Sequence, residues 1–113
     1  TEKAGDDTFV PELNDVSEYD FLITGAENKK DFNLATRFLF LKTLKNLSDK
    51  GFIQFTADKT NKEYLKEMEK HNYFKEFQQL TRNYEYSWYG KFLLQQDYYQ
   101  KLKEEFELFN KKV

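Results

Sequence analysis

The sequence predicts a mainly all-α domain, with about five helices around a central long helix at 31–50. Three observations carry this. Apolar residues recur at spacings of three and four in five separate segments. Four Gly and one Pro in 113 residues leave too little punctuation for a many-stranded β fold. Two helix boundaries are also written in the sequence, Asp31 to Gly51 around the longest segment and Thr60/Glu63 at the start of a shorter one.

Residues 1–13, polar, acidic and holding the one Pro, read as a flexible linker or arm, leaving 14–113 as a single helical domain. The first helix falls in 14–30. Asn14, Asp15 or Ser17 could cap it, and Tyr19, Leu22, Ile23 and Ala26 form its apolar side, with Gly25 weakening the last turn. The second runs from an Asp31 N-cap to Gly51. Leu34, Phe38, Leu41, Leu44 and Leu47 make its stripe, and Phe32, Leu39 and Phe40 widen it almost all round, as befits a helix covered on several sides. "FIQF" (52–55) and "KFLL" (91–94) each follow a Gly and could pair as a short two-stranded ribbon, stable only under a covering helix.

The third helix lies in 58–70. Thr60 and Glu63 have capping-box spacing there, and Tyr64, Leu65 and Met68 supply the apolar side. The fourth spans 72–90, where Tyr73, Phe74, Phe77, Leu80, Thr81, Tyr84 and Trp88 share an arc about 120° wide. Tyr86 and Tyr89 fall outside that arc, and Gly90 is expected to stop the helix in a left-handed conformation. The last helix covers 95–113 with a stripe of Tyr98, Leu102, Phe106 (or Glu105) and Phe109, and with Lys111 and Lys112 at its C-terminal dipole.

Composition narrows the functional classes. With 18 basic and 20 acidic residues interspersed and a net charge of −2, a nucleic-acid partner is disfavoured. Zero Cys excludes disulfides, thiolate metal sites and Cys nucleophiles. The longest apolar run, 38–41, is far too short to span a bilayer, and no secretory segment is present. Beginning at Thr1, the sequence reads as a piece of a longer protein. His71, the one His, reads as a surface residue in a turn rather than a ligand or base. The acid pairs Glu67/Glu69 and Glu104/Glu105 read as solvated helix faces. Lys59-Thr60-Asn61 reads as a helix cap rather than a phosphate cradle. No catalytic, cofactor or metal residues are expected.

The blocks "ATRFLFLKTLKNLSDKGFIQF", "DKTNKEYLKEM", "FKEFQQLTRNYEYSWYG" and "DYYQKLK" occur in a distinctive order and spacing. In them the sequence resembles the uncharacterised C-terminal helical domain of bacterial transglutaminase-like (protein-glutamine gamma-glutamyltransferase-like) membrane proteins, over roughly 18–110. The resemblance rests on Ala35, Arg37 and Leu39, then Gly51 and Ile53, and Lys59, Thr60, Glu63, Tyr64 and Leu65. It continues through Phe77, Leu80, Thr81, Tyr84, Glu85, Tyr89 and Gly90. It implies context rather than chemistry. The domain would lie at the cytoplasmic face of the inner membrane, anchored by a transmembrane segment outside this chain, and would meet a protein partner of the same membrane system.

Arg37 interrupts the apolar run of the central helix, and a buried Arg requires partners. Glu63 and Glu85, which also match the family pattern, are the candidates, in a structural ion pair that fixes helix register. The leading functional expectation is a non-catalytic protein-interaction domain, with Tyr86 and Tyr89 as its surface residues. Two alternatives stand beside it. One is a small-molecule-sensing or enzymatic domain with a pocket near Arg37. The other, a winged-helix-like nucleic-acid binder, would need more than Lys75 and Arg82 on its reading helix. Oligomeric state is left open by the sequence.

Overall fold

The computed structural model describes residues 15–113. The arm expected over 1–13, and Asn14 among the cap candidates, lie outside the described residues. Five α-helices are present among the described residues: α1 (Val16–Asn28), α2 (Phe32–Asp49), α3 (Asn61–Met68), α4 (Phe74–Tyr89) and α5 (Gln96–Lys112). The domain is all-α. The radius of gyration, 13.0 Å, is that of a close-packed chain of this length. α2 is the hub. It packs against α1, α4 and α5, while α3 rests on α4, and α4 also meets α5.

Local sequence sets each boundary. Asp15 caps α1 in a reciprocal box: Ser17 N donates to Asp15 Oδ1 at 2.8 Å, and Asp15 N donates to Glu18 Oε1 at 3.2 Å. Asp31 opens α2 by accepting from Leu34 N at 3.1 Å. At its far end Gly51 takes φ +83°, where Phe52 N reaches Leu47 O and Gly51 N reaches Ser48 O. These two bonds form a Schellman turn, and a side chain at 51 would strain it. Thr60 and Glu63 form the box that starts α3, with Thr60 N donating to Glu63 Oε1 at 2.9 Å.

Gly90 differs from expectation. It closes α4 with φ −73°, in the right-handed region, and the left-handed residue is Lys91 at φ 57°. Glycine is needed at 90 for space rather than for conformation. A Cβ there would collide with the Tyr86 carbonyl oxygen and the Phe92 ring.

The expected ribbon is absent: no strand occurs among the described residues, and 52–55 and 91–94 do not pair. Their amides are used elsewhere. Gln54 N donates to Glu67 Oε1 at 2.7 Å, Phe55 N to Ser48 Oγ at 3.2 Å, and Leu94 N to Asn33 Oδ1 at 3.0 Å. Two four-residue segments gain too little from pairing to compete with these bonds. The segment from 51 to 60 is a connection closed by the Tyr64 hydroxyl, which accepts from Thr56 N and donates to Thr56 O.

A run of rings forms the core. Trp88, Tyr84, Phe40, Phe77 and Phe109 follow one another at centroid separations of 6.4, 4.2, 6.5 and 6.3 Å, all stacked. The run therefore passes from α4 to Phe40 of α2, back to Phe77 of α4 and on to α5. Along α5 the buried stripe is Tyr99, Leu102, Phe106 and Phe109. Tyr99, not the expected Tyr98, is the buried ring. Both lie one turn from Leu102, but only Tyr99 reaches α2, where it stacks on Phe32 at 5.0 Å.

Candidate functional site

Arg37 is 2% exposed, in the second turn of α2. Its Nη1 donates to the Tyr84 hydroxyl at 2.5 Å, and its guanidinium lies 5.2 Å from the Trp88 ring centroid. A delocalised cation suits an aromatic face in a dry setting. The two carboxylates expected beside it have other work. Glu63 serves the α3 capping box, and Glu85 accepts from Asn61 Nδ2 at 3.0 Å. Arg37 thus meets residues of the α4 aromatic stripe.

A half-buried carboxylate links α1 to α5. Glu27 Oε2 accepts from the Tyr99 hydroxyl at 2.5 Å and from Lys103 Nζ at 2.7 Å. Burial pushes the Tyr99 hydroxyl well above its ordinary range, and its bond to Glu27 acts in the same direction. Burial also pushes Glu27 upward. The hydrogen bonds from Lys103 and Tyr99 and the charge of Lys103 outweigh it, so the carboxyl stays below its ordinary value of 4.5. A folded-state value below the unfolded one stabilises above the unfolded value, and that stability is lost as pH falls through the folded one. Glu27→Gln should therefore unfold more easily than the parent at neutral pH. In denaturant titrations over a pH series, the gap should close as pH drops well below 4.5.

The Tyr64 hydroxyl is likewise raised by burial, and Tyr19 is pushed up to about 12 by burial, with the Arg37 charge opposing. Asp15, fully exposed, is lowered, first by the Ser17 hydroxyl and then by the Ser17 amide. These groups maintain helix ends and contacts. No cluster of three or more metal-ligating side chains occurs among the described residues. His71 is exposed, edge-on to Phe52 at 4.8 Å.

The exposed surface feature lies where α4 hands over to α5. Tyr86 is 64% exposed and packs on Phe92, with centroids 5.2 Å apart. Leu93, 85% exposed, stands at the tip of the connection, and Tyr98, 39% exposed, closes the patch from α5. Together with Leu94 and Gln95 they line a shallow cleft of about 430 Å³. Tyr89, expected to share this surface, is half-buried with its ring against Tyr84 at 6.4 Å.

One side chain shapes the tip. Asn33, in the first turn of α2, donates through Nδ2 to Phe92 O at 2.8 Å and to Ser87 O at 3.3 Å. Its Oδ1 accepts from Leu94 N at 3.0 Å. One amide thus holds both sides of residues 92–94, and Leu93 is left pointing away from the core. Sequence reasoning identified Tyr86 but missed Phe92, Leu93 and Tyr98, and gave Asn33 no role. No local pattern signals that role, because the partners of Asn33 lie 54, 59 and 61 residues along the chain.

Beyond Leu93 lies a second cleft of about 510 Å³, sharing Leu93, Leu94 and Gln95 with the first and lined also by Lys29 and Lys30. Among the described residues no helix is long and apolar enough to cross a membrane. Neither a protein-family model, nor a curated protein, nor a solved structure matches the chain.

Proposed function

We propose that the domain is a non-catalytic protein-interaction module of a membrane-anchored bacterial protein. In this reading a segment outside the chain holds it at the cytoplasmic face of the inner membrane, and it binds a protein partner of the same membrane system. The context comes from the resemblance to the helical domain of transglutaminase-like membrane proteins. The observation that carries the binding role is the contiguous exposed patch of Tyr86, Phe92, Leu93 and Tyr98. Protruding aromatic and aliphatic groups on a small domain mark a contact surface, because leaving them in water is unfavourable.

The reading is tested by site-specific photo-crosslinking in cells, with a benzophenone side chain at position 93 or, as control, at exposed position 104. A discrete protein adduct from position 93, absent from 104 and lost with Tyr86→Ala, is the expected result. Equal adducts from both positions, or none from 93, would overturn it.

A further inference from the structure

We infer that the partner surface is acidic and apolar together: a peptide segment that places a large apolar side chain beside Leu93 and a carboxylate near Lys29 and Lys30. This rests on the interaction reading above and gives its partner a chemistry. Two features of the surface are the basis.

The first is the joining of the two clefts. They share Leu93, Leu94 and Gln95, so they flank a single ridge. On one side the lining is aromatic and carries no charge. On the other it carries Lys29 and Lys30, with Asp31 as the one carboxylate, and Asp31 already accepts from Leu34 N as the α2 cap. An extended segment crossing the ridge would meet an apolar recess and then a cationic one.

The second is the sign of the charge. The chain as a whole is −2, yet Lys29, Lys30 and Lys91 gather around this connection, all exposed. Lys30 and Lys91 both hold left-handed backbone, at φ 58° and 57°. Gly or Asn would adopt that conformation at lower cost, so lysine at both positions indicates that the cation is wanted there. Each lysine also follows a helix C-terminus, where positive charge is favourable, and so costs the fold less than the backbone angle alone suggests. α5 begins at Gln96 after an N-cap Gln95 that makes no side-chain bond, and Asp97 in its first turn offsets the free amides there, so the positive character rests on the three lysines. Such an arrangement attracts carboxylates and repels cationic partners.

The test is selection of a random-peptide display library on this domain, with Leu93→Asp and Lys29→Glu/Lys30→Glu variants run in parallel. The expected consensus pairs Asp or Glu with a Trp, Phe or Leu. A synthetic peptide of that consensus should lose about tenfold or more in affinity against the double charge reversal, and should weaken as salt rises. Leu93 is exposed, so Leu93→Asp leaves the core intact, and circular dichroism of each variant checks this. A neutral or basic consensus that still depends on Leu93 would overturn the acidic partner and leave the interaction reading standing. Enrichment indifferent to Leu93→Asp, or none at all, would overturn both. Adding vesicles of phosphatidylcholine with or without phosphatidylserine gives a separate arm. Tight binding to the anionic vesicles with no peptide enrichment would assign the surface to lipid instead. Signals of residues 86, 92 and 93 that shift with protein concentration alone would assign it to a second copy.

Discussion

Phe77→Ala is expected to destabilise the domain by about 3–5 kcal/mol, as full removal of a buried ring does. Phe77 is 0% exposed and stands between Phe40 of α2 and Phe109 of α5. Deleting it interrupts the ring column at the point where three helices meet, and stacked neighbours cannot collapse inward without giving up their own contacts. Domains of this size have about 5–15 kcal/mol in all, so this one change would consume a large share of it. Denaturant titration of the variant should show a sharply lower midpoint. Phe21→Ala is the control, because Phe21 is 81% exposed and its loss should stay within about 0.5 kcal/mol. Equal effects at the two positions would contradict the packing described above.

The second large effect concerns Arg37. Tyr84→Phe keeps the ring against Phe40 but removes the hydroxyl that accepts from Arg37 Nη1. Taking one acceptor from a charged donor this deep should cost about 1–3 kcal/mol, at the upper end because the donor is ionised. Arg37→Met retains volume while removing the charge, so Tyr84→Phe made in that background should cost much less. A double-mutant cycle measures the difference directly, and coupling of about 1 kcal/mol or more is the expected outcome. Additive effects would mean that the 2.5 Å contact contributes little to stability.

Features set by neighbouring residues were legible in the sequence. The Thr60/Glu63 capping box, the Asp31 cap and the Gly51 turn each depend on residues within a few positions of one another, whereas α1 offered three cap candidates, among which the structure shows Asp15 capping, in a box with Glu18. The encircling apolar character of α2 likewise announced a helix covered on several sides. Gly90 was the local exception, since the left-handed turn fell to Lys91; the rest of what escaped depended on distance along the chain. Tyr98 and Tyr99 fit the α5 stripe equally well until Phe32 decides between them, 67 residues away. For Arg37 the sequence offered Glu63 and Glu85, and it gave no sign of the phenol and indole that α4 brings to it, 47 and 51 residues on. "KFLL" looked like a strand because its residues suit one. Asn33 and the start of α5 instead fix it as an exposed connection. The site was half visible for the same reason: Tyr86 could be placed on the wrong side of a helix by counting, whereas Leu93 is exposed through a bond made by residue 33.

That clamp has an evolutionary consequence. The Asn33 amide grips the carbonyl of Phe92 and the amide of Leu94, both main-chain groups that every residue but proline at 94 would offer equally. The shape of the tip is therefore specified from α2, and its chemistry from side chains that contribute little to the fold. Position 93 can drift to another residue without risking collapse of the domain, so related chains could change allegiance at this surface while inheriting one unaltered scaffold.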